Sequence, residues 1–211
     1  VCAMRNRATG RLGKETGVEP GEDFEDLLDP SEAVAAVRAG DKEAFAAIVH
    51  RYESALIGYL YRLVGDREQA LDLAQETFLE AYQGIIRTRA EISLPAWLYR
   101  IATNNAYDVL RRRRLIAWLR LKPQVAQDAP EEDPADRATE RVMVERALAQ
   151  LSQDDVTCLL LSNYVGFKHH EVAQILGIRP DAARQRIARA KDRFRKAYRS
   201  GADRAEGHDV R

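Results

Sequence analysis

The chain has 211 residues, 45% of them hydrophobic, enough for one large domain or two small ones with buried cores. Its 33 Lys and Arg balance 33 Asp and Glu, so net charge identifies no partner until its distribution along the chain is read. No run of about 18 apolar residues and no apolar leader is present, and two cysteines with scattered histidines form no ligand pattern, which excludes membrane spans, a disulfide framework and a metal site and makes the reducing cytoplasm the expected location.

The charge is segregated. Residues 100–122 hold seven cations against Asp108, net +6; residues 123–140 set Arg137 against six acids, net −5; residues 179–199 set nine cations against Asp181 and Asp192, net +7. Two basic patches separated by an acidic strip are the footprint of a nucleic-acid binder.

Residues 1–30, rich in Gly, Arg, Glu and Asp without periodicity, read as a disordered extension. From there the apolar residues recur at helical spacing. Phe45, Ile48, Tyr52, Leu56, Tyr59, Leu60 and Leu63 form a stripe ended by Gly65, and Leu71, Ala74, Phe78, Ala81, Tyr82 and Ile85 form a second. Ser93 as cap and Pro95 in the first turn open a third helix running to about Leu119, with Leu98, Ile101, Ala102, Ala106 and Val109 inward. These helices are long enough for one bundle, residues 31–119. Three prolines and no stripe make 120–138 an extended acidic linker. A helical pattern resumes with Val142, Val144, Leu148 and Leu151. Ser152 then caps a helix carrying Val156, Leu159, Leu160 and Tyr164, which Gly166 ends. Cys158, beside Leu159 and Leu160, reads as core, and His169 and His170 as surface or capping residues. The second domain spans 139–199, and 200–211 reads as a tail. The fold class is all-α.

Ala173, then Gly177 four residues on, then Ile178 and a helix restart at Arg179-Pro180-Asp181, is helix-turn-helix spacing. On the helix from Asp181 to Tyr198, Ala183, Ile187, Ala190, Phe194 and Ala197 make the core face. The opposite face carries Gln185, Ala188, Arg189 and Asp192, flanked by Arg184, Lys191 and Arg195 on one side and Arg186 and Arg193 on the other. A groove-reading helix needs base-edge donors at its centre and phosphate-binding cations on its shoulders.

In the N-terminal half, Asp72, Glu76 and Glu80 stand at successive i,i+4 steps beside Gln75, a spacing that costs roughly 0.2–0.5 kcal/mol per like-charged pair and so suggests a basic partner. Trp97, Arg100, Asn104, Tyr107 and Arg111 share one stripe of the third helix; aromatics interleaved with cations suit single-stranded nucleic acid.

The segments Asp72-Leu-Ala-Gln-Glu-Thr-Phe-Leu-Glu-Ala-Tyr82, Pro95-Ala-Trp-Leu-Tyr-Arg-Ile-Ala-Thr-Asn-Asn105 and Asp108 to Arg114 resemble regions 2.2 to 2.4 of bacterial sigma factors. Leu151-Ser-Gln-Asp-Asp155 through Tyr198 resembles region 4. The chain is thus similar over about residues 31–199 to the extracytoplasmic-function (ECF) group of the sigma-70 family, which keeps two helical domains and a linker. The resemblance implies core RNA polymerase and promoter DNA as partners. Asp72, Gln75, Glu76, Leu79 and Glu80 would dock on the β′ clamp helices, and the C-terminal domain on the β flap. Arg87, Arg89, Trp97, Arg100, Asn104, Tyr107, Arg111 and Arg112 would recognise and melt the −10 element. Arg184, Gln185, Arg186, Ala188, Arg189 and Arg193 would read the −35 element. An anti-sigma factor is a further partner that the group allows. No catalytic motif, cofactor, metal or small-molecule substrate is implied. A helix-turn-helix regulator with a helical partner-binding N-terminal domain is the alternative.

Two segments depart from the family pattern. Phe167-Lys168-His169 replaces Leu-Ser-Tyr before the first helix of the motif, losing a Ser cap, and Arg179-Pro-Asp-Ala-Ala183 replaces Ser-x-Gly-Thr-Val at the second.

Overall fold

The computed structural model describes residues 30–87, 93–120 and 135–206, and all regular structure among them is helical. The helices are α1 (Pro30–Arg38), α2 (Lys42–Val64), α3 (Arg67–Arg87), α4 (Leu94–Arg120), α5 (Ala135–Ala149), α6 (Gln153–Leu159), α7 (His169–Leu176) and α8 (Pro180–Glu206). A π-helical turn, Leu160–Tyr164, follows α6 directly. No helix among the described residues is long and apolar enough to cross a membrane.

Caps set the boundaries of the N-terminal unit. The Asp41 carboxylate accepts the Glu43 and Ala44 N–H groups at 2.9 and 3.2 Å and starts α2. Gly65 ends it, with its N–H donating to the Tyr61 carbonyl at 2.8 Å. Asp66 then accepts the Gln69 N–H at 3.0 Å and starts α3. Arg113 of α4 secures this corner, donating to the Val64 carbonyl at 2.8 Å and pairing with Asp66 at 3.2 Å. Inside lie Leu56, Tyr59 and Leu60 of α2, Leu73, Phe78 and Ala81 of α3, and Leu98, Ala102 and Ala106 of α4. The buried Tyr59 hydroxyl shares a 2.7 Å hydrogen bond with Thr103 Oγ1, which also donates to the Tyr99 carbonyl at 2.6 Å, so no polar atom of the pair is stranded.

The C-terminal unit packs α5, α6 and α7 around α8. Ser152 caps α6, accepting the Asp155 N–H at 3.2 Å. Between α7 and α8, Gly177 takes φ +64° and the Ile178 N–H closes back on the Ala173 carbonyl at 3.0 Å. That left-handed turn strains any residue with a Cβ, which is why glycine stands there. Pro180 opens α8 at a position whose N–H has no helical partner to lose.

Several expectations need correction. Leu71 is not core: it is 37% exposed while Leu73 is 2% exposed, because the small residues Ala70, Ala74 and Thr77 rotate the buried face of α3 towards Leu73. Val142 is likewise exposed, and Ala147 takes the buried position on α5. α5 begins at Ala135, inside the 120–138 stretch expected as linker, whose residues 121–134 lie outside the described residues. The helix expected to end at Tyr198 runs to Glu206, with the Ser200 hydroxyl donating back to the Lys196 carbonyl at 3.0 Å; residues 207–211 of the expected tail lie outside the described residues. The expected N-terminal extension lies outside the described residues apart from Pro30, and α1 was not anticipated. Ala33 and Val37 bury its inner face, and Arg38 donates to the Ile85 carbonyl at 3.0 Å.

The two units are docked. α7 lies against α4, the π-helical turn lies against α2, and one continuous buried core runs through both.

Candidate nucleic-acid and partner interfaces

The outward face of α8 has the geometry that a groove reader needs. Ala183, Ile187, Ala190 and Ala197 are buried, with Phe194 partly so, and Gln185, Ala188, Arg189 and Asp192 stand fully outward. Arg184 and Arg195 form exposed i,i+3 pairs with Asp181 and Asp192 at 3.2 and 3.1 Å, contacts weak enough in water to be released to a phosphate. Ala183 is fully enclosed, so the missing β-branch is accommodated by close helix approach.

The other shoulder differs. Arg186 donates to Asp154 at 3.0 Å, and Arg193 pairs with the buried Asp155, both acids belonging to α6. These two arginines fasten α8 to the helix beneath it. Sequence reasoning missed Asp154 and Asp155 as partners because 32 and 38 residues separate them from their arginines. The lost Ser cap of α7 is replaced from the other end: the Glu171 carboxylate accepts the Lys168 N–H at 2.8 Å. Glu171→Ala is therefore expected to cost about 0.5–2 kcal/mol, a fall of a few degrees in melting temperature measurable by circular dichroism. Lys168→Ser, supplying the other half of the box, is expected to raise it.

On α3, Asp72, Gln75, Glu76, Leu79 and Glu80 are all exposed, at spacings of 3, 1, 3 and 1 that keep them on one face. Leu79 is 59% exposed amid the acids, an apolar contact ringed by charge that suits a basic protein surface. Beside this ridge, Val49, Glu53, Ile57, Leu71, Ala74, Gln75 and Phe78 line a groove between α2 and α3. Glu80 is partly engaged, accepting from Asn105 at 3.1 Å.

The expected stripe on α4 divides. Arg100 and Asn104 are exposed, as are Arg111 and Arg112, and the Arg111 pair with Asp108 is a surface i,i+3 contact at 2.9 Å. Trp97 is half-buried on α3, its six-membered ring so close to Gly84 that a Cβ there would stand 2.7 Å from it; part of the ring is packing. Tyr107 is half-buried too, its hydroxyl 3.0 Å from Thr157 Oγ1 and 3.2 Å from Asp154. Arg114 donates to Gln153 at 2.7 Å. Of the four-arginine run, Arg113 and Arg114 thus serve the fold while Arg111 and Arg112 point outward. Arg89 and the side chain of Arg87 lie outside the described residues.

Cys158 is fully buried, and its thiol is pushed up to about 11 by that burial, the opposite of what a reactive thiolate requires. Burial also raises Tyr59, Tyr99 and Tyr107 well above the ordinary phenol value, so these hydroxyls remain neutral donors.

Family models match in two places: Sigma-70 region 2 over residues 48–116, which spans most of α2, α3 and α4, and Sigma-70 region 4 over residues 141–194, which ends within α8. The chain is 33% identical to the RNA polymerase sigma-H factor of Pseudomonas aeruginosa over 78% of its own length and 91% of the relative's. It is 31% identical to the ECF RNA polymerase sigma-E factor of Haemophilus influenzae, over 80% of this chain and 94% of that one. Among solved structures, a Bartonella quintana sigma factor bound to an anti-sigma factor superposes with a TM-score of 0.61 at 23% identity, covering 74% of this chain and 96% of that one.

Proposed function

The chain belongs to the sigma-70 family of RNA polymerase sigma factors, in its extracytoplasmic-function group, and from that premise we propose how its surfaces divide the work of initiating transcription. The protein binds core RNA polymerase and directs it to promoter DNA. α3 docks on the polymerase through Asp72, Gln75, Glu76, Leu79 and Glu80, with the β′ clamp helices as the basic partner. α4, with Arg100, Asn104, Arg111 and Arg112 outward and Trp97 and Tyr107 partly packed, holds the opened −10 strand. α8 reads the −35 element in the major groove. Gln185 and Arg189 supply base-edge donors, and Arg184 supplies a cation beside them. Arg186 and Arg193 hold the helix in place and lend their charge to phosphates from there.

The observation that carries this reading is α8, which buries Ala183, Ile187, Ala190 and Ala197 on one face and turns Gln185, Ala188 and Arg189 outward within the region-4 match. Melting needs no nucleotide hydrolysis by this chain, because binding to the opened strand and to polymerase supplies the free energy. The division into an N-terminal unit, a linker and a C-terminal unit follows the same logic: each unit carries one reader. An anti-sigma factor is a fitting further partner, since the superposed structure holds one.

Reconstitution tests this reading. The protein is mixed with core polymerase and a library of promoter fragments, and transcripts are sequenced from their 5′ ends. Defined start sites sharing two upstream elements are expected. Specific duplex binding by the free protein without complex formation with polymerase would instead favour a conventional helix-turn-helix regulator.

A further inference from the structure

A glycine stands in the last turn of α3 where the backbone does not call for one. Gly84 is not among the described glycines with positive φ, so a residue with a side chain could hold the same backbone and favour the helix more. What excludes a side chain is Trp97 of α4. A Cβ on Gly84 would stand 2.7 Å from Cζ2 and 2.8 Å from Cη2 of the indole, but 4.0 Å from Cε2. The ring therefore meets α3 by its outer edge rather than lying flat, and its faces are turned away from the Gly84 backbone.

Both ends of the Trp97 side chain are fixed. At the near end, the Trp97 N–H donates to the Ser93 carbonyl at 2.9 Å in the first turn of α4, between buried Ala96 and Leu98. At the far end, the turn of α3 that carries Gly84 is itself held. The next residue, Ile85, is buried, and its carbonyl accepts the Arg38 Nε–H of α1 at 3.0 Å. A ring oriented in advance escapes the cost of being ordered on binding, and a base stacks on its face, not on its edge. Trp97 is half-buried, and Arg100 and Asn104 further along the same stripe are exposed.

We propose that Gly84 is a positioning residue of the −10 reader: it seats the outer edge of Trp97, and its missing Cβ sets the ring so that a face stacks on a base of the opened strand while Arg100 takes a phosphate. The proposal rests on reading α4 as the strand-binding helix. It gives α1 a part in the reader as well, since Arg38 secures the turn on which the ring is seated.

A Trp118→Phe background leaves Trp97 as the one tryptophan, so its emission reports the ring directly. Gly84→Leu, which favours helix, should keep the helicity and the binding of core polymerase and of −35 duplex. It should also red-shift the Trp97 emission and make it easier to quench with acrylamide. The strand probe is a fluorescein-labelled single-stranded oligonucleotide carrying the non-template −10 region of a promoter selected by reconstitution. Reconstituted with core polymerase, Gly84→Leu should bind this probe about tenfold more weakly than the parent, the loss of part of one base–aromatic stack. Trp97→Phe shortens the ring past the clash, so adding Gly84→Leu to it should cost little further affinity. Should Gly84→Leu lose helicity, Gly84→Ala, with the smallest side chain and the best helix propensity, is expected to move emission and strand affinity in the same directions by a smaller factor. Unchanged emission and quenching in both variants overturn the seat. A ring that moves without loss of strand affinity overturns the positioning role, as does an equal cost of Gly84→Leu in the parent and Trp97→Phe backgrounds. If Trp97→Ala itself leaves strand affinity unchanged, the strand-binding reading of Trp97 falls and the positioning role with it, while emission still registers whether Gly84 seats the ring.

Discussion

Asp72→Lys combined with Glu76→Lys is expected to weaken binding to core RNA polymerase on the order of a hundredfold or more, because like charges facing across an interface cost several kcal/mol. Both side chains are exposed on α3 and sit in the ridge that surrounds Leu79. The substitution leaves the core untouched: Leu73, Ala74, Thr77 and Phe78 occupy the opposite face. It also keeps the number of like-charged i,i+4 contacts low, since Lys at 76 would face Glu80, so helicity and melting temperature should hold within about 0.5 kcal/mol. Binding of duplex DNA through α8 should be unaffected. Fluorescence anisotropy with labelled core polymerase gives the first quantity and a duplex titration the second. Equal loss of both would mean that the variant is misfolded or that α3 is not the docking face.

Arg189→Ala is expected to cost about 1–3 kcal/mol in binding to the preferred −35 sequence and to relax selectivity at one position. Arg189 is exposed at the centre of the outward face, and its 3.4 Å contact with the Gln185 carbonyl is long enough to yield to a base. Arg193→Ala should behave differently. Removing a phosphate cation lowers affinity for all sequences alike and reduces the salt slope by about one unit. Its pairing with Asp155 adds a second consequence, because Asp155 is 5% exposed and would lose its charged partner. Breaking a buried pair costs up to about 3–5 kcal/mol, and much less here because the arginine itself is 60% exposed. Arg193→Ala should therefore lower the melting temperature as well, whereas Arg189→Ala should not. Titrations at several salt concentrations against a randomised −35 library, with thermal melts alongside, separate the two. Identical profiles for both arginines would refute the assignment of the faces.

The contrast between these arginines marks what the sequence can and cannot reveal. Period alone identifies the buried face of α8, because Ala183, Ile187, Ala190, Phe194 and Ala197 recur on one side of a helix of known pitch. It also puts the acidic ridge on one outward face of α3. Periodicity fails where small and polar residues do the packing: Ala70 and Thr77 are fully buried and bring the inward face to Leu73, whereas the stripe through Leu71, Ala74 and Phe78 puts Leu71 inside. It is blind to pairs distant in sequence. Arg193 with Asp155, Arg113 with Asp66 and Tyr107 with Thr157 lie 38, 47 and 50 residues apart, and nothing local distinguishes these residues from solvated neighbours. The docking of the two units belongs to the same class. An acidic, proline-bearing linker suggests separation, whereas Tyr164, Gly58 and the Tyr59–Tyr99–Phe167 chain of rings bring the units together. A single signal was legible in hindsight: a glycine in the middle of α2, where helix propensity disfavours it, marks a close approach.

In the proposed function, one chain carries a polymerase-docking face and two DNA readers that act together to open a promoter. Permanganate reactivity of thymines in the −10 element, measured on a promoter selected by reconstitution, tests it most directly. Reactive thymines are expected only when core polymerase and this protein are both present, and they should disappear with Asp72→Lys/Glu76→Lys and weaken with Arg189→Ala. Thymines equally reactive with core polymerase alone, or full opening by the docking-face variant, would contradict it.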